Sequence, residues 1–130
     1  MNATLWLGCG ALIALAFGAL TRSLSRRHES TLYTVGLIVA ALIYLGHSLP
    51  LGWRWILIEA AAALLFSVAA WIGWRRSALL LAVGWALHAG WDLWAHATLA
   101  GNSMPHWYRW SCAGFDLVVA GYVLGRFAKS

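Results

Sequence analysis

The chain has 130 residues, enough for one compact domain, but hydrophobic residues make up 62% of it, charged residues only 10%, and the mean hydropathy is +0.73. Soluble domains carry roughly 25% charged residues; with so few charges a water-exposed surface cannot be built, which excludes a soluble fold and makes lipid the solvent. The formal net charge of +5 does not point to nucleic acid, because the basic residues lie between apolar runs, where they set topology and meet anionic headgroups.

Five apolar segments are long enough to cross a bilayer, which takes about 20 residues. They run over about 3–20, 31–48, 51–74, 77–100 and 107–127. The expectation is an all-α, polytopic bundle of five transmembrane helices forming one domain, 1–130. The first run is not a cleaved signal, since Arg22, Arg26 and Arg27 follow the apolar stretch instead of preceding it. The second and third runs are separated by Ser48-Leu49-Pro50-Leu51-Gly52, a turn signal that makes them a tight hairpin. The fourth and fifth are joined by a short loop, Gly101 to His106.

Orientation follows from the basic residues. With the N-terminus outside and the C-terminus inside, Arg22, Arg26, Arg27, Arg75, Arg76, Arg126 and Lys129 are internal, against Arg54 and Arg109 outside. Trp53, Trp55, Trp107, Tyr108 and Trp110 then line the outer interface, and Trp71 and Trp74 the inner one, as membrane anchors. Gly121 and Gly125 form a small-xxx-small pair suited to close helix approach, as do Gly8, Gly10 and Gly18. Cys9 and Cys112 fall in different runs and form no CxxC pair, so neither a disulfide framework nor a zinc knuckle is indicated.

Of four acidic residues, only Glu29 falls in a loop by this reading; Glu59, Asp92 and Asp116 lie inside spans. A carboxylate at the bilayer centre costs about 2.5–3.5 kcal/mol on insertion scales, so such groups face the bundle interior and mark function. At 1.5 Å per residue, Glu59 and Asp92 lie ~12 Å below the outer end of their spans, Asp116 ~14 Å, His88 ~18 Å and His96 ~6 Å. Three helices thus deliver acids to one layer in the outer half. His88, Asp92 and His96 recur at i, i+4 and i+8, one face of the fourth helix, and Cys112 shares a face with Asp116. Two histidines and a carboxylate at this spacing can hold a divalent transition metal such as zinc, with Glu59 and Asp116 completing the sphere. The same groups without metal suit acid–base catalysis or a proton relay, and a single His–Asp pair can simply fix helix packing.

The Glu59 region after Trp55, the His88-x-x-Trp91-Asp92-x-x-x-His96 stretch and the Cys112 to Asp116 pair resemble a family of short bacterial membrane proteins of unknown function, the one numbered 6010, over roughly the last three spans. That family often has paired histidines at the end of the motif, whereas here Ala95 precedes His96, which would alter a site needing both. There is also a weaker similarity in style to membrane hydrolases that use Asp and His around zinc. The resemblance implies a bacterial inner-membrane location and supplies no activity.

The leading expectation is a membrane-embedded enzyme acting on a lipophilic small molecule, either a metallohydrolase or an acid–base isomerase or cyclase. His88, Asp92 and His96 are the expected metal ligands, Glu59, Asp92 and Asp116 the catalytic acids, and Trp91, Trp94 and Cys112 the substrate-lining residues. A proton or metal-ion transporter or channel subunit, and a structural subunit of a membrane complex, are the alternatives. Membrane lipids are the expected partners, a homo-oligomer is compatible, and no nucleic acid is expected.

Overall fold

The computed structural model describes residues 2–99 and 104–127, without the side chains of 96–99. The regular elements among the described residues are all helices, with no strand. Helix α1 spans Ala3–Thr21, α2 Arg26–Ser48, α3 Trp53–Arg76, α4 Ala78–Gly90 and α5 His106–Phe127. A single 3₁₀ turn, Leu49–Leu51, joins α2 to α3, and Gly52 closes that turn at φ 107°, a conformation favouring glycine. The link between α3 and α4 is Ser77 alone, whose side chain caps α4 by accepting from the Leu80 N–H.

Two boundaries differ from the hydropathy reading. Helix α2 starts at Arg26, five residues before the apolar run, because Ser25 caps it by accepting from the His28 N–H. Glu29 is therefore in the first turn of a helix and not in a loop. The fourth span is not one continuous α-helix: after Gly90 it continues as a π-helix over Trp91–Leu99, a winding that favours functional sites.

Four helical segments, Ala3–Thr21, Arg26–Leu51, Trp53–Arg76 and Ala78–Ala95, are long and apolar enough to cross a membrane. Helix α5 is long enough but carries Arg109, Asp116 and Arg126 among its 22 residues. Arg109 and Asp116 are buried against the other helices, so the polarity of α5 faces protein and not lipid.

The packing order in space is α1, α5, α4, α3, α2, with α2 turning back to touch α4 and α5. Helices α1 and α5 lie closest. A Cβ on Gly10 would sit 1.8 Å from the Ser111 carbonyl oxygen, and one on Gly114 would sit 2.2 Å from that of Leu7. The expected pair Gly121 and Gly125 has nothing within 4 Å of an added Cβ among the described residues, so the close crossing is made about two and three turns earlier in α5, at Gly114 and Ser111. Helices α1 and α2 meet only beside their connecting turn, where Phe17 packs edge-on against Tyr33 at 5.5 Å. The bundle is thus open between α1 and α2. Its core is built from Tyr33, Leu37, Leu81, Trp85, Val119 and Val123, in the half nearer that turn.

Candidate functional site

Helices α4 and α5 place His88 and Asp116 side by side. His88 Nδ1 is 2.8 Å from Asp116 Oδ2, so the carboxylate accepts a hydrogen from that nitrogen. One turn along, Asp92 Oδ1 lies 3.7 Å from the same Nδ1, so the i, i+4 stripe holds at the point where α4 passes into the π-helix. From α2, the Tyr44 O–H donates to Asp92 Oδ1. All of these groups are buried: His88 is 2% exposed, Asp92 0%, Asp116 3% and Tyr44 3%. The imidazole is clamped by rings, with Tyr44 stacked at 5.6 Å and Phe66 of α3 edge-on at 4.9 Å.

Among the described residues, two polar atoms in this cluster are buried without a hydrogen bond, His88 Nε2 and Asp92 Oδ2. Leaving a buried polar atom unpaired costs about 1–3 kcal/mol, so unpaired atoms in a native protein call for an explanation. His88, Asp92 and Asp116 also offer ligand atoms within 4.8 Å of one another, the compactness that a cation site needs.

A cavity of about 380 Å³ reaches the cluster through the opening between α1 and α2, within the roughly 300–1,000 Å³ of small-molecule sites. His88, Asp116 and Tyr44 line it, as do Cys112, Tyr108 and Trp85. Its mouth is formed by Ile13 of α1 and Leu32, Val39 and Ile43 of α2, apolar side chains that are themselves 41–61% exposed on the outside of the bundle. The lining is otherwise almost wholly apolar, so the cavity joins a greasy surface to a small buried polar cluster.

The remaining sequence-predicted residues are more dispersed. Glu59 is buried in α3, where Oε1 accepts from the Trp91 indole N–H at 3.1 Å, and it does not line the cavity. Trp91 borders a separate apolar groove between α3 and α4. Trp94 is 59% exposed on the outer surface of the bundle, away from the cavity. The His96 side chain lies outside the described residues. Arg109, read from the sequence as an interfacial charge, is buried with Nε unbonded among the described residues.

Tyr44 escaped the sequence reading. The available signal was a phenol in the middle of an apolar span, since a buried hydroxyl needs a partner. Glu29 also escaped it. Its carboxylate, 0% exposed, ties three helices together at the arginine-rich end: Oε2 accepts from Thr21 at 2.8 Å and Tyr122 at 2.5 Å, and Oε1 from Arg126 Nε at 2.9 Å. Tyr33 joins through Thr21 at 2.9 Å.

A family model described as a family of unknown function (DUF6010) matches residues 7–130. The chain belongs to the DUF6010 family. The match takes in all five helices, more than the last three spans that carry the motif, so α1, which forms one wall of the cavity, is part of the family's fold. No curated protein and no solved structure matches the chain.

Proposed function

We propose that this DUF6010 protein is a membrane-embedded enzyme that takes a lipophilic substrate laterally from the bilayer to His88, Asp92 and Asp116. The observation that carries this reading is the unbonded Nε2 of a buried histidine lining a cavity whose mouth is exposed apolar surface. A packing histidine would have both nitrogens satisfied or one in water; among the described residues this one has Nδ1 bonded to Asp116 and Nε2 buried without a partner. With Asp116 holding the hydrogen on Nδ1, Nε2 carries the lone pair and acts as general base toward a substrate proton, and the imidazolium so formed is stabilised by the same carboxylate. Asp92, fixed by Tyr44, supplies the second acid–base group through its unbonded Oδ2. The apolar cavity excludes water and holds the hydrocarbon part of the substrate.

A divalent cation such as zinc is the metal-dependent form of the same reading. Two carboxylates packed together in an apolar bundle need a compensating charge, and His88, Asp92 and Asp116 have the compactness to share one. Bound there, it would polarise water or a substrate oxygen. A conduit through the bundle is less well supported, because Leu37, Trp85, Val119 and Val123 pack between this cluster and the arginine-rich end. With Arg22, Arg26, Arg27, Arg75, Arg76 and Arg126 at that end, the reading places it in the cytoplasm of a bacterial inner membrane and the site in the outer half of the bilayer, with α5 as the fifth crossing.

The test is to incubate purified protein with total bacterial lipid extract and compare lipid profiles by mass spectrometry against His88→Asn and Asp116→Asn. Consumption of a species by the wild type alone supports the enzyme; identical profiles for all three overturn it. Elemental analysis of the same samples decides the metal: one equivalent in the wild type, lost in Asp92→Asn, establishes the metal-dependent form, and none removes it.

A further inference from the structure

At the opposite end of the bundle from the His88 cluster, antiparallel packing sets the start of α2 beside the end of α3. Arg26 and Arg27 come from the first, Arg75 and Arg76 from the second, and all four line one cavity of about 480 Å³. An adjoining space of about 390 Å³ shares Arg27 and Arg75, together with Ser30 and Trp74. The floor is apolar and buried, formed by Gly73, Leu81 and Phe127. It is braced by the Trp74 indole N–H, which donates to Thr31 Oγ1 across α2 and α3 at 3.1 Å.

Among the described residues these four guanidiniums meet no carboxylate side chain. The chain contains four acidic residues, and all four are buried elsewhere: Glu29 on Arg126, Tyr122 and Thr21, and Glu59, Asp92 and Asp116 in the far half. No ion pair joins any of the four arginines among the described residues. Two of them also sit in the first turn of α2, where the helix dipole already presents positive charge and a cation is unfavourable. Arg75 and Arg76 sit in the last turn of α3, where the dipole favours them, but four like charges gathered at one cavity still repel, and an anion from outside would compensate them. The site also touches the lipid surface, since Leu79 on its rim is 58% exposed and Arg75 lies 5.5 Å over the exposed Trp71 ring.

We propose that this cavity binds the phosphate group of an anionic phospholipid, with Arg26, Arg27, Arg75 and Arg76 around the phosphate and the glycerol end against the apolar floor. Arginine suits the task because its fork of donors matches phosphate oxygens, and basic pockets between transmembrane helices recognise acidic headgroups in this way. The site is separate from the His88 cluster and does not depend on what that cluster does.

Native mass spectrometry of the full chain in detergent, with equal phosphatidylglycerol and phosphatidylcholine, tests it. The wild type is expected to retain phosphatidylglycerol preferentially, and Arg27→Gln/Arg75→Gln to lose that preference by roughly tenfold. Arg22→Gln, an exposed change at the same end but outside the cavity, is the control for diffuse charge and should leave retention unchanged. Equal retention of the two lipids by the wild type, or an equal loss in Arg22→Gln, overturns the site. Competition with millimolar inorganic phosphate separates the sources of the ligand. Undiminished phosphatidylglycerol retention supports the lipid, and its displacement by phosphate overturns the lipid assignment in favour of a soluble phosphate ligand.

Discussion

The two buried polar clusters of this protein use the same kinds of residue, and they differ in how completely their hydrogen bonds close. At the arginine-rich end, Glu29 accepts from Thr21, Tyr122 and Arg126, so charge and lone pairs are matched from α1 and α5. In the far half, His88, Asp92 and Asp116 are equally buried, yet among the described residues Nε2 of the histidine and Oδ2 of Asp92 are unbonded, and a cavity is lined by His88 and Asp116. Burial of an ionisable group in a membrane bundle therefore does not by itself mark a site. The closed network is a fastener for three helices; the open one keeps capacity for a partner that the chain does not provide.

The largest effect on stability should come from the fastener. Glu29→Ala removes the one acceptor shared by Thr21, Tyr122 and Arg126 and so releases α1 and α5 from α2 together. Thermal or denaturant unfolding in micelles measures it, and a loss under about 1 kcal/mol would break the distinction drawn between the clusters. Next comes Gly10→Val. A Cβ there meets the Ser111 carbonyl oxygen at 1.8 Å, backbone that cannot rotate away, so α1 and α5 must separate. Overpacking of this kind costs about 1–3 kcal/mol, and because α1 is one wall of the cavity, substrate turnover should fall with stability.

Asp92→Asn should behave in the opposite sense. The amide keeps an acceptor for the Tyr44 hydroxyl while removing a buried charge whose second oxygen is unbonded. Stability is expected to stay the same or rise by about 1 kcal/mol, while turnover falls roughly a hundredfold or more. A drop in stability comparable to that of Glu29→Ala would mean that the far cluster is a fastener too.

Much of this contrast was legible in the sequence, though unevenly. Helix positions follow from apolar run lengths, because lipid requires every backbone group to be satisfied within the span. The meeting of His88, Asp92 and Asp116 follows from depth and from i, i+4 spacing, which survives the change of winding. The place of Glu29 was hidden because hydropathy dates the start of α2 from its apolar run, whereas capping by Ser25 begins it earlier. Attending to the Ser25 cap would have moved Glu29 into the helix. The direction of Trp94 was hidden for another reason: adjacency to Asp92 suggests a shared site, but successive residues on a helix point different ways, and Trp94 faces outward. Which glycines make the close crossing was equally out of reach, since small-xxx-small spacing fixes a face and not the neighbour it meets.

The finest test of the comparison lies in the cavity itself. Cys112 lines it and is only partly buried, with its thiol beside the Tyr108 hydroxyl. Cys112→Phe places a ring into that cavity, and overpacking of this kind costs up to about 1–3 kcal/mol of stability. If substrate reaches His88 from the bilayer between α1 and α2, the ring obstructs it, so KM rises while kcat at saturation changes less. Cys112→Ala should leave both nearly as they were. Equal kinetics for the two variants would show that substrate enters elsewhere, and would leave the open cluster in place but detach it from this cavity.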